Sequence, residues 1–216
     1  TSPLVVDMSA LWAGPLCSHL LQCCGFQVIK VESVQRPDGA REGSPKHFHA
    51  LHEGKECQRF DFRDPTDLRR LRMLLASADV VIEGSRPRAL RALALDRESI
   101  MTAAGSVAAA SHLWLSLTAY GRASPFGDWV GFGDDVAIAA GAFDATQANA
   151  PAFIADAIAD PLTGLVAAWL ILELRRRGMS GLIDFSLFRA ANFCVNWVQD
   201  SGGALASPTR EPTLRC

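Results

Sequence analysis

Short apolar runs alternate with amphipathic segments along the first part of the chain. Residues 4–6 have the apolar character of a buried strand. A helix is predicted to begin at Pro15, with apolar residues following at helical spacing, and Gly25 is suited to end it. The next strand is predicted over residues 26–31. This β-α-β order is the building block of a parallel sheet covered by helices.

The same alternation continues and predicts one open sheet. Asp64 and Pro65 have the pattern of an N-cap and a first-turn proline, and leucines line one face of the helix that follows. Residues 86–106 are Ala-rich and predicted to be helical in parts. We expect an α/β fold with an open, mostly parallel sheet over residues 1–200, followed by a polar tail at 201–216. Further strands are predicted at residues 60–62, 80–82, 112–117 and 182–187.

Two stretches show no regular period. Residues 33–55 are polar, charged and rich in Gly and Pro, so we expect a long loop there. Such loops in compact domains are often functional or mobile. Residues 121–157 are irregular, apart from an Ala-rich stretch after Asp135.

The clearest element is a helix predicted over residues 160–178. Asp160 suits the N-cap and Pro161 the first helical position, while three arginines support the negative end before Gly178. Residues 162–174 are almost wholly apolar. We therefore expect a central helix that is buried on nearly all sides.

Composition narrows the function classes. The 216 residues are 49% hydrophobic, which argues against a disordered or fibrous chain. A formal net charge of −2 gives no basic field for nucleic acid. The longest apolar run, residues 165–172, is too short to cross a bilayer, and no secretory signal is visible, so a cytoplasmic protein is expected. The sequence does not begin with Met, which indicates processing or a piece of a longer chain.

The six cysteines do not form a ligand or disulfide pattern. None belongs to a C-x-x-C pair, and Cys17, Cys23 and Cys24 fall in an apolar helical run. We therefore expect reduced core thiols of a cytosolic protein.

Asp160 is the first candidate for chemistry. A carboxylate at a helix N-terminus is favoured by the free amides and by the helix dipole, which keep a nucleophile or base ionised at neutral pH. A purely capping role explains the same residue, and local sequence does not separate the two.

Other polar clusters carry weaker signals. His47, His49 and His52 fall within six residues, but no carboxylate or cysteine stands at a recognised ligand spacing, so a solvated cluster is favoured and no metal is expected. The adjacent Asp134 and Asp135 are interpreted as a solvated pair. The chain has no G-x-G-x-x-G, Walker or G-x-S-x-G motif.

A series of motifs, taken in order, resembles the N-terminal part of the class III CoA-transferases. That family includes formyl-CoA and carnitine CoA-transferases and α-methylacyl-CoA racemases. The resemblance implies a Rossmann-like large domain with helices on both faces of the sheet. The motifs are Val5-Val6-Asp7-Met8-Ser9 with Ala13-Gly14-Pro15, Gly25 to Glu32, Pro37-Asp38-Gly39-Ala40-Arg41, Gly54-Lys55, Ala78 to Glu83 with Arg86-Pro87, Tyr120-Gly121, Asp160-Pro161-Leu162-Thr163-Gly164 and Ile183-Asp184-Phe185-Ser186-Leu187.

The resemblance also implies a reaction. Asp160 falls at the D-x-x-x-G position of the family's catalytic aspartate, so it would attack an acyl-CoA thioester and give an acyl-aspartyl anhydride, then an aspartyl-CoA thioester. A carboxylic acid would take over the CoA. The family's CoA-contacting positions correspond to Leu11, Trp12 and Ala13 at the adenine end, and to Lys55 and Arg86 at the phosphates.

Departures from the family leave alternatives open. Members are longer, and their second half supplies a smaller domain and helices that interlock a homodimer. The chain therefore resembles the first part of such an enzyme, a domain of a larger protein or a shortened relative. A non-catalytic CoA-binding or assembly domain that needs a partner chain is the alternative function. The racemase branch carries a histidine in the segment that matches residues 131–134, where this chain has none, so transfer is favoured over racemisation.

Overall fold

The computed structural model describes residues 2–105, 112–144 and 152–201. Over these residues, strands and helices alternate in the α/β pattern expected from the sequence, although the strand predicted at residues 60–62 is found at Glu56–Phe60, a mostly polar and exposed segment. The strands are β1 Leu4–Asp7, β2 Gln27–Ser33, β3 Glu56–Phe60, β4 Val80–Glu83, β5 Leu113–Thr118, β6 Phe143–Asp144, β7 Ala152–Phe153 and β8 Gly181–Ser186. The helices are α1 Ala13–Cys23, α2 Ala40–Gly43, α3 Pro45–His52, α4 Pro65–Ser77, α5 Pro87–Ala92, α6 Arg97–Ala104, α7 Gly133–Ala139, α8 Ala159–Arg176 and α9 Leu187–Asp200, with a short 3₁₀ helix at Phe126–Asp128.

Six of the strands form one parallel sheet. Their spatial order is β3-β2-β1-β4-β5-β8, and β6 pairs with β7 in a separate antiparallel hairpin. The chain moves outward in one direction from β1 to β3 and in the other from β4 to β8. The strand order therefore reverses between β1 and β4, as it does in Rossmann-like sheets, and a crevice opens outside their carboxyl ends.

Alternation along the strands divides the apolar side chains between two cores. Val5 lies against α1 and α8 on one face, and its neighbour Val6 lies against α4 and α6 on the other. The same alternation separates Leu115 from Trp114 in β5. Helices thus cover both faces, and the predicted Rossmann-like α/β fold is confirmed.

Close approach of two helices requires a glycine near the start of α8. A Cβ atom at Gly164 would lie 2.7 Å from the Ala13 carbonyl oxygen and 3.0 Å from the Leu16 Cβ. Without that atom, α8 packs directly on the first turn of α1 and brings the beginnings of the two helices together.

The prediction of a loop over residues 33–55 is wrong. The segment contains α2 and α3, and Pro45 is the first residue of α3 after Ser44 at the N-cap. Of the eight residues in α3, only Leu51 and His52 are buried, so no apolar stripe marks this helix in the sequence.

Two expectations for the long helix also need correction. It begins at Ala159 with Ile158 at the N-cap, so Asp160 is its second residue and not its cap. The helix is also not buried on nearly all sides, because Leu165 is 57% exposed and Trp169 is 63% exposed. The amphipathic helix α9, which follows β8 directly from the N-cap Ser186, was not predicted.

The cysteines are only partly the core thiols that were expected. Cys17 is buried, whereas Cys23 and Cys24 are exposed near the end of α1. Apart from Ser201, the predicted polar tail lies outside the described residues. None of the helices that the structure describes could span a lipid bilayer.

Candidate active site

A cavity of about 790 Å³ occupies the crevice at the carboxyl end of the sheet. Its walls come from the residues that follow four parallel strands: Ser9 after β1, Gly84 after β4, Ala119 after β5 and Leu187 after β8. We call it the large cavity. Its place at the reversal of strand order is where open α/β sheets bind ligands.

Asp160 lies in the wall of the large cavity, where the first turns of three helices converge. The backbone N–H groups of Ala13 and Gly133 lie near its carboxylate and favour the charged form, which lowers its pKa. Ala13 and Gly133 are the first residues of α1 and α7, so their N–H groups have no acceptor within their own helices. The two helix N-termini thus supply the donors that a buried carboxylate needs.

Burial governs the ionisation of this carboxyl group. It raises the pKa of Asp160 to about 6, against the two amide donors, and the carboxylates of Asp134 and Asp135 add to the rise. The sequence predicted that the helix terminus favours the anion, and the two amides do so, but it gave no sign that burial would outweigh them. At neutral pH the carboxylate is still the main form, but it is more basic than an exposed aspartate.

Asp160 also lines a smaller cavity of about 330 Å³. We call it the small cavity. Trp12, His47 and Phe132 form its larger walls, and the rings of Trp12 and His47 meet edge to face with centroids 4.8 Å apart. Asp160 thus lines both cavities.

Arginines give the large cavity its charge. Arg36, Arg86 and Arg88 line it. Arg88 faces Asp128 at 3.4 Å, whereas neither Arg36 nor Arg86 forms an ion pair with another described residue. Two exposed guanidinium groups are therefore available to an anionic ligand such as a phosphate.

Most of the predicted site residues come together here. Leu11, Ala13, Arg86 and Asp160 line the large cavity, while Trp12 lines the small one. Lys55 lies apart from both. Its buried ammonium group donates to the Pro15 carbonyl at 2.9 Å and to Ser18 Oγ at 2.7 Å.

The other clusters singled out in the sequence have backbone roles or separate positions. Asp135 accepts from the Phe132 N–H at 2.7 Å, and Asp134 accepts from the Ala157 N–H at 2.7 Å. They are thus the first acidic residues of α7, not a solvated loop pair. The three histidines lie on α3, where His52 is buried. Among the described residues, no group of three or more His, Cys, Asp or Glu is placed to hold a metal ion.

Sequence reasoning missed Arg36 and Gly133. Arg36 stands in the segment that was expected to be a loop, and its position over the large cavity depends on where β2 ends. Gly133 begins α7, and its missing side chain leaves room for Asp160 Oδ2. A glycine directly before two acidic residues was the only sequence signal of that helix start.

The family comparison covers nearly the whole chain. The model of "CoA-transferase family III" matches residues 3–212. Among curated proteins, the succinate–glutarate CoA-transferase of Agrobacterium fabrum is 27% identical over 202 residues, which are 85% of this chain and 49% of that protein. The probable fatty acyl-CoA transferase of Mycobacterium tuberculosis is 28% identical over 201 residues, 87% of this chain and 50% of that protein.

Solved structures give the same result at the level of the fold. A hypothetical protein from M. tuberculosis superposes with a TM-score of 0.81 at 26% identity, covering 95% of this chain and 59% of that one. A CAIB/BAIF family protein from Brucella suis gives a TM-score of 0.79 at 28% identity, covering 97% and 60%. The chain spans about half the length of the curated relatives it matches.

Proposed function

The chain belongs to CoA-transferase family III, and from that premise we propose that it moves CoA between an acyl-CoA thioester and a carboxylic acid. Asp160 is the proposed nucleophile. The observation that carries this proposal is the position of its carboxyl group, which lines both the arginine-lined cavity and the small cavity, close to the first backbone amides of α1 and α7. A raised pKa supports the role, because a more basic carboxylate is a better nucleophile while it is still ionised at neutral pH.

The first half of the proposed reaction releases the donor acid. A carboxylate oxygen of Asp160 attacks the thioester carbonyl carbon, the C–S bond breaks, and CoA leaves as a thiolate. The product on the enzyme is an acyl-aspartyl anhydride. The thiolate then attacks the Asp160 carbonyl carbon, which expels the donor carboxylate and leaves an aspartyl-CoA thioester.

The second half runs the same steps with the acceptor. An incoming carboxylate attacks the aspartyl thioester, and the CoA thiolate leaves again. It returns to the acyl carbonyl of the new anhydride, which forms the new acyl-CoA and restores the Asp160 carboxylate. Each step replaces one substituent on a carbonyl carbon with another. No atom changes its oxidation state, so the reaction balances with the Asp160 carboxylate, CoA and the two acids.

CoA is proposed to lie in the large cavity. The backbone of Leu11 and Ala13 supplies its wall near β1, and the guanidinium groups of Arg86 and Arg36 are the proposed phosphate contacts. A phosphate contact from Lys55 stays a prediction, and its ammonium group would first have to leave Pro15 and Ser18. The curated relatives named for succinate and glutarate support a carboxylic acid as the acceptor.

We also propose that a second copy or a further part of the protein covers α8 and α9. Leu165 and Trp169 on α8, and Phe193 and Trp197 on α9, are each more than half exposed. The two helices pack on each other, so these large apolar side chains belong to neighbouring surfaces. The curated relatives are about twice as long, so they contain further chain that could cover such a surface.

A second candidate is a domain that binds CoA without turnover. It is favoured by the chain's coverage of about half of each curated relative, since a catalytic site can require residues from the rest of the protein. A racemase or isomerase would use the same Asp160 with a second base.

Intact-protein mass spectrometry with a panel of acyl-CoA donors tests the proposal. We expect an added mass equal to an acyl group or to CoA less water, located by peptide mapping to the segment that contains Asp160. Hydroxylamine should remove it, because anhydrides and thioesters are both cleaved by that nucleophile. No adduct with any donor, while the thioester remains bound, would reject transfer by this chain in favour of the binding domain. Exchange of the α-proton for deuterium without an adduct would support the racemase.

Adduct formation is expected to depend on pH with an apparent pKa of about 6. Only the ionised carboxylate attacks, so the first-order rate at saturating thioester rises from acid pH and levels off above neutrality. At pH 5 it should be about one tenth of the plateau. Saturation separates this effect from any change in binding. A rate that is flat between pH 5 and 8 would show that Asp160 does not limit the step.

A further inference from the structure

A buried ion pair lies behind the turn that precedes α1. Lys30 in β2 and Asp38 before α2 are both buried, and Lys30 Nζ lies 3.1 Å from Asp38 Oδ2. We call this pair the clamp. Among the described residues, no hydrogen bond joins Lys30 or Asp38 to Asp160. The clamp therefore has no role in the proposed reaction.

Each member of the clamp holds one end of the same turn. Lys30 Nζ donates to the Ser9 carbonyl oxygen, and Asp38 accepts from the Leu11 N–H at 3.1 and 3.3 Å. Leu11 has a φ of 69°, a left-handed conformation that costs free energy in any residue with a Cβ atom. The turn therefore needs external contacts to hold it, and the clamp supplies one at each end.

The position of the turn decides the direction of a donor at Asp160. Leu11 is followed by Trp12, the N-cap of α1, and then by Ala13, which lines the large cavity with Asp160 and whose N–H favours the ionised form of that carboxyl group. Asp38 also accepts from the Ala40 N–H at 3.0 Å, which fixes its carboxylate to the start of α2. Asp38 is thus connected to Ala13 through its hydrogen bond to Leu11 and the backbone of Leu11 and Trp12.

Three further buried polar residues, His52, Lys55 and Asp7, lie next to the clamp. His52 Nε2 lies 3.8 Å from Asp38 Oδ2 without a hydrogen-bond partner, and burial lowers the pKa of His52 to about 4, so its ring is neutral. On its other side, His52 Nδ1 lies 3.4 Å from Lys55 Nζ, and Lys55 pairs with Asp7 at 3.7 Å. The two carboxylates, Asp7 and Asp38, thus balance the charge of the two ammonium groups, Lys30 and Lys55. Such buried pairs add little net stability because desolvation offsets their attraction, but they fix geometry.

We propose that Asp38, held by Lys30, is a positioning residue that directs the Ala13 N–H at the Asp160 carboxylate. The proposal rests on the proposed function in taking Asp160 as the nucleophile. The expected geometry does not depend on that reaction, because the Ala13 N–H should point at the Asp160 carboxylate only while Asp38 holds Leu11. Gly133, the other donor, belongs to α7 and has no contact with the clamp, so it serves as an internal reference.

The test is a pH titration of the backbone amides by ¹H–¹⁵N NMR, without any thioester. In the wild-type chain, we expect the Ala13 and Gly133 resonances to shift together with the ionisation of Asp160, at a midpoint of about 6. In Asp38→Asn, the Ala13 shift should lose at least about half of its amplitude while the Gly133 shift persists, because a displaced donor no longer senses the carboxylate. Lys30→Met tests the other half of the clamp in the same way.

The direction of the midpoint separates positioning from simple charge removal. Loss of the Ala13 donor raises the pKa of Asp160, whereas loss of the Asp38 negative charge by itself lowers it. Asp134 and Asp135, which face Asp160 from α7, are unchanged in both variants. We therefore expect the midpoint measured at Gly133 to move upward in Asp38→Asn.

Asp79→Asn is the matched control. Asp79 accepts from the Leu4 N–H at 2.7 Å and pairs with Arg175 at 3.3 Å, at the opposite end of the sheet from Asp160. Its loss should cost stability without changing either amide titration. Full Ala13 amplitude in a folded clamp variant, or equal loss at Ala13 and Gly133, would overturn the proposal. Because no thioester takes part, absence of an adduct in the earlier experiment would reject the proposed function alone.

Discussion

Replacement of Asp160 by asparagine is expected to lower CoA transfer by about 10⁴-fold or more, with CoA binding nearly unchanged. An amide has the shape of the carboxylate and still accepts a hydrogen bond from Ala13 or Gly133, but it cannot form the anhydride. Loss of the nucleophile in a covalent mechanism typically removes several orders of magnitude of turnover. Chromatography of the acyl-CoA products measures transfer, and calorimetry with CoA measures binding.

Asp135→Asn is a suitable control for this substitution. Asp135 is an exposed acidic residue on the neighbouring helix, where it accepts from the Phe132 N–H at 2.7 Å. Its replacement removes a nearby charge but leaves the nucleophile, so we expect transfer within about tenfold of the wild-type rate. Turnover in Asp160→Asn that matches this control would show that another group carries the reaction.

Capping residues and apolar patterns predicted the order of strands and of apolar helices better than the polar helices that connect them. Asp64-Pro65 predicted the start of α4 because a leucine stripe followed it, and Val80 begins β4 as expected. Ser44-Pro45 is the same kind of helix start, but α3 buries only Leu51 and His52. With no apolar stripe to follow, a polar helix has the composition of a loop.

The proposed nucleophile was accessible from the sequence, but its environment was not. The resemblance singled out Asp160 by its position before Gly164, whereas its pKa depends on burial and on Ala13 and Gly133 from other parts of the chain. Lys55 illustrates the same limit. The acceptors that surround its ammonium group are 37 and 40 residues away in the sequence, and nothing beside Lys55 indicates burial.

The apolar character of α8 predicted more burial than this chain provides. Gly164 and its neighbours pack on α1, while Leu165 and Trp169 face outward. The hydrophobic pattern of a helix reflects all the surfaces that it packs against in the complete protein. The chain spans about half the length of its curated relatives, so part of those surfaces can lie outside it. The difference between prediction and structure is therefore a further reason to propose a cover over α8 and α9.

Gly133→Ala is expected to slow adduct formation by at least about 100-fold at the plateau pH. A Cβ atom at Gly133 would overlap Asp160 Oδ2 and lie 2.5 Å from the Ala157 carbonyl oxygen. Ala157 accepts from the Asp160 N–H at 2.9 Å, so the turn that carries the proposed nucleophile has little freedom to retreat. Displacement of a reacting group by about 1 Å is enough for a loss of this size. The apparent pKa of the step should also rise, since a hydrogen bond that favours the carboxylate is lost.

Gly84→Ala provides the comparison, because Gly84 lines the same large cavity with room to spare. Its Cβ atom would lie 3.9 Å from the Ser9 Cβ, an ordinary contact, and we expect adduct formation within about threefold of wild type. Rates from rapid-quench mass spectrometry at saturating thioester, measured from pH 5 to 8, give both the plateau and the apparent pKa. If Gly133→Ala and Gly84→Ala behaved alike, the tight fit of α7 against Asp160 would have no part in placing the nucleophile. A selective loss in Gly133→Ala with an upward pKa would instead show that α7 holds the carboxylate in its reactive position.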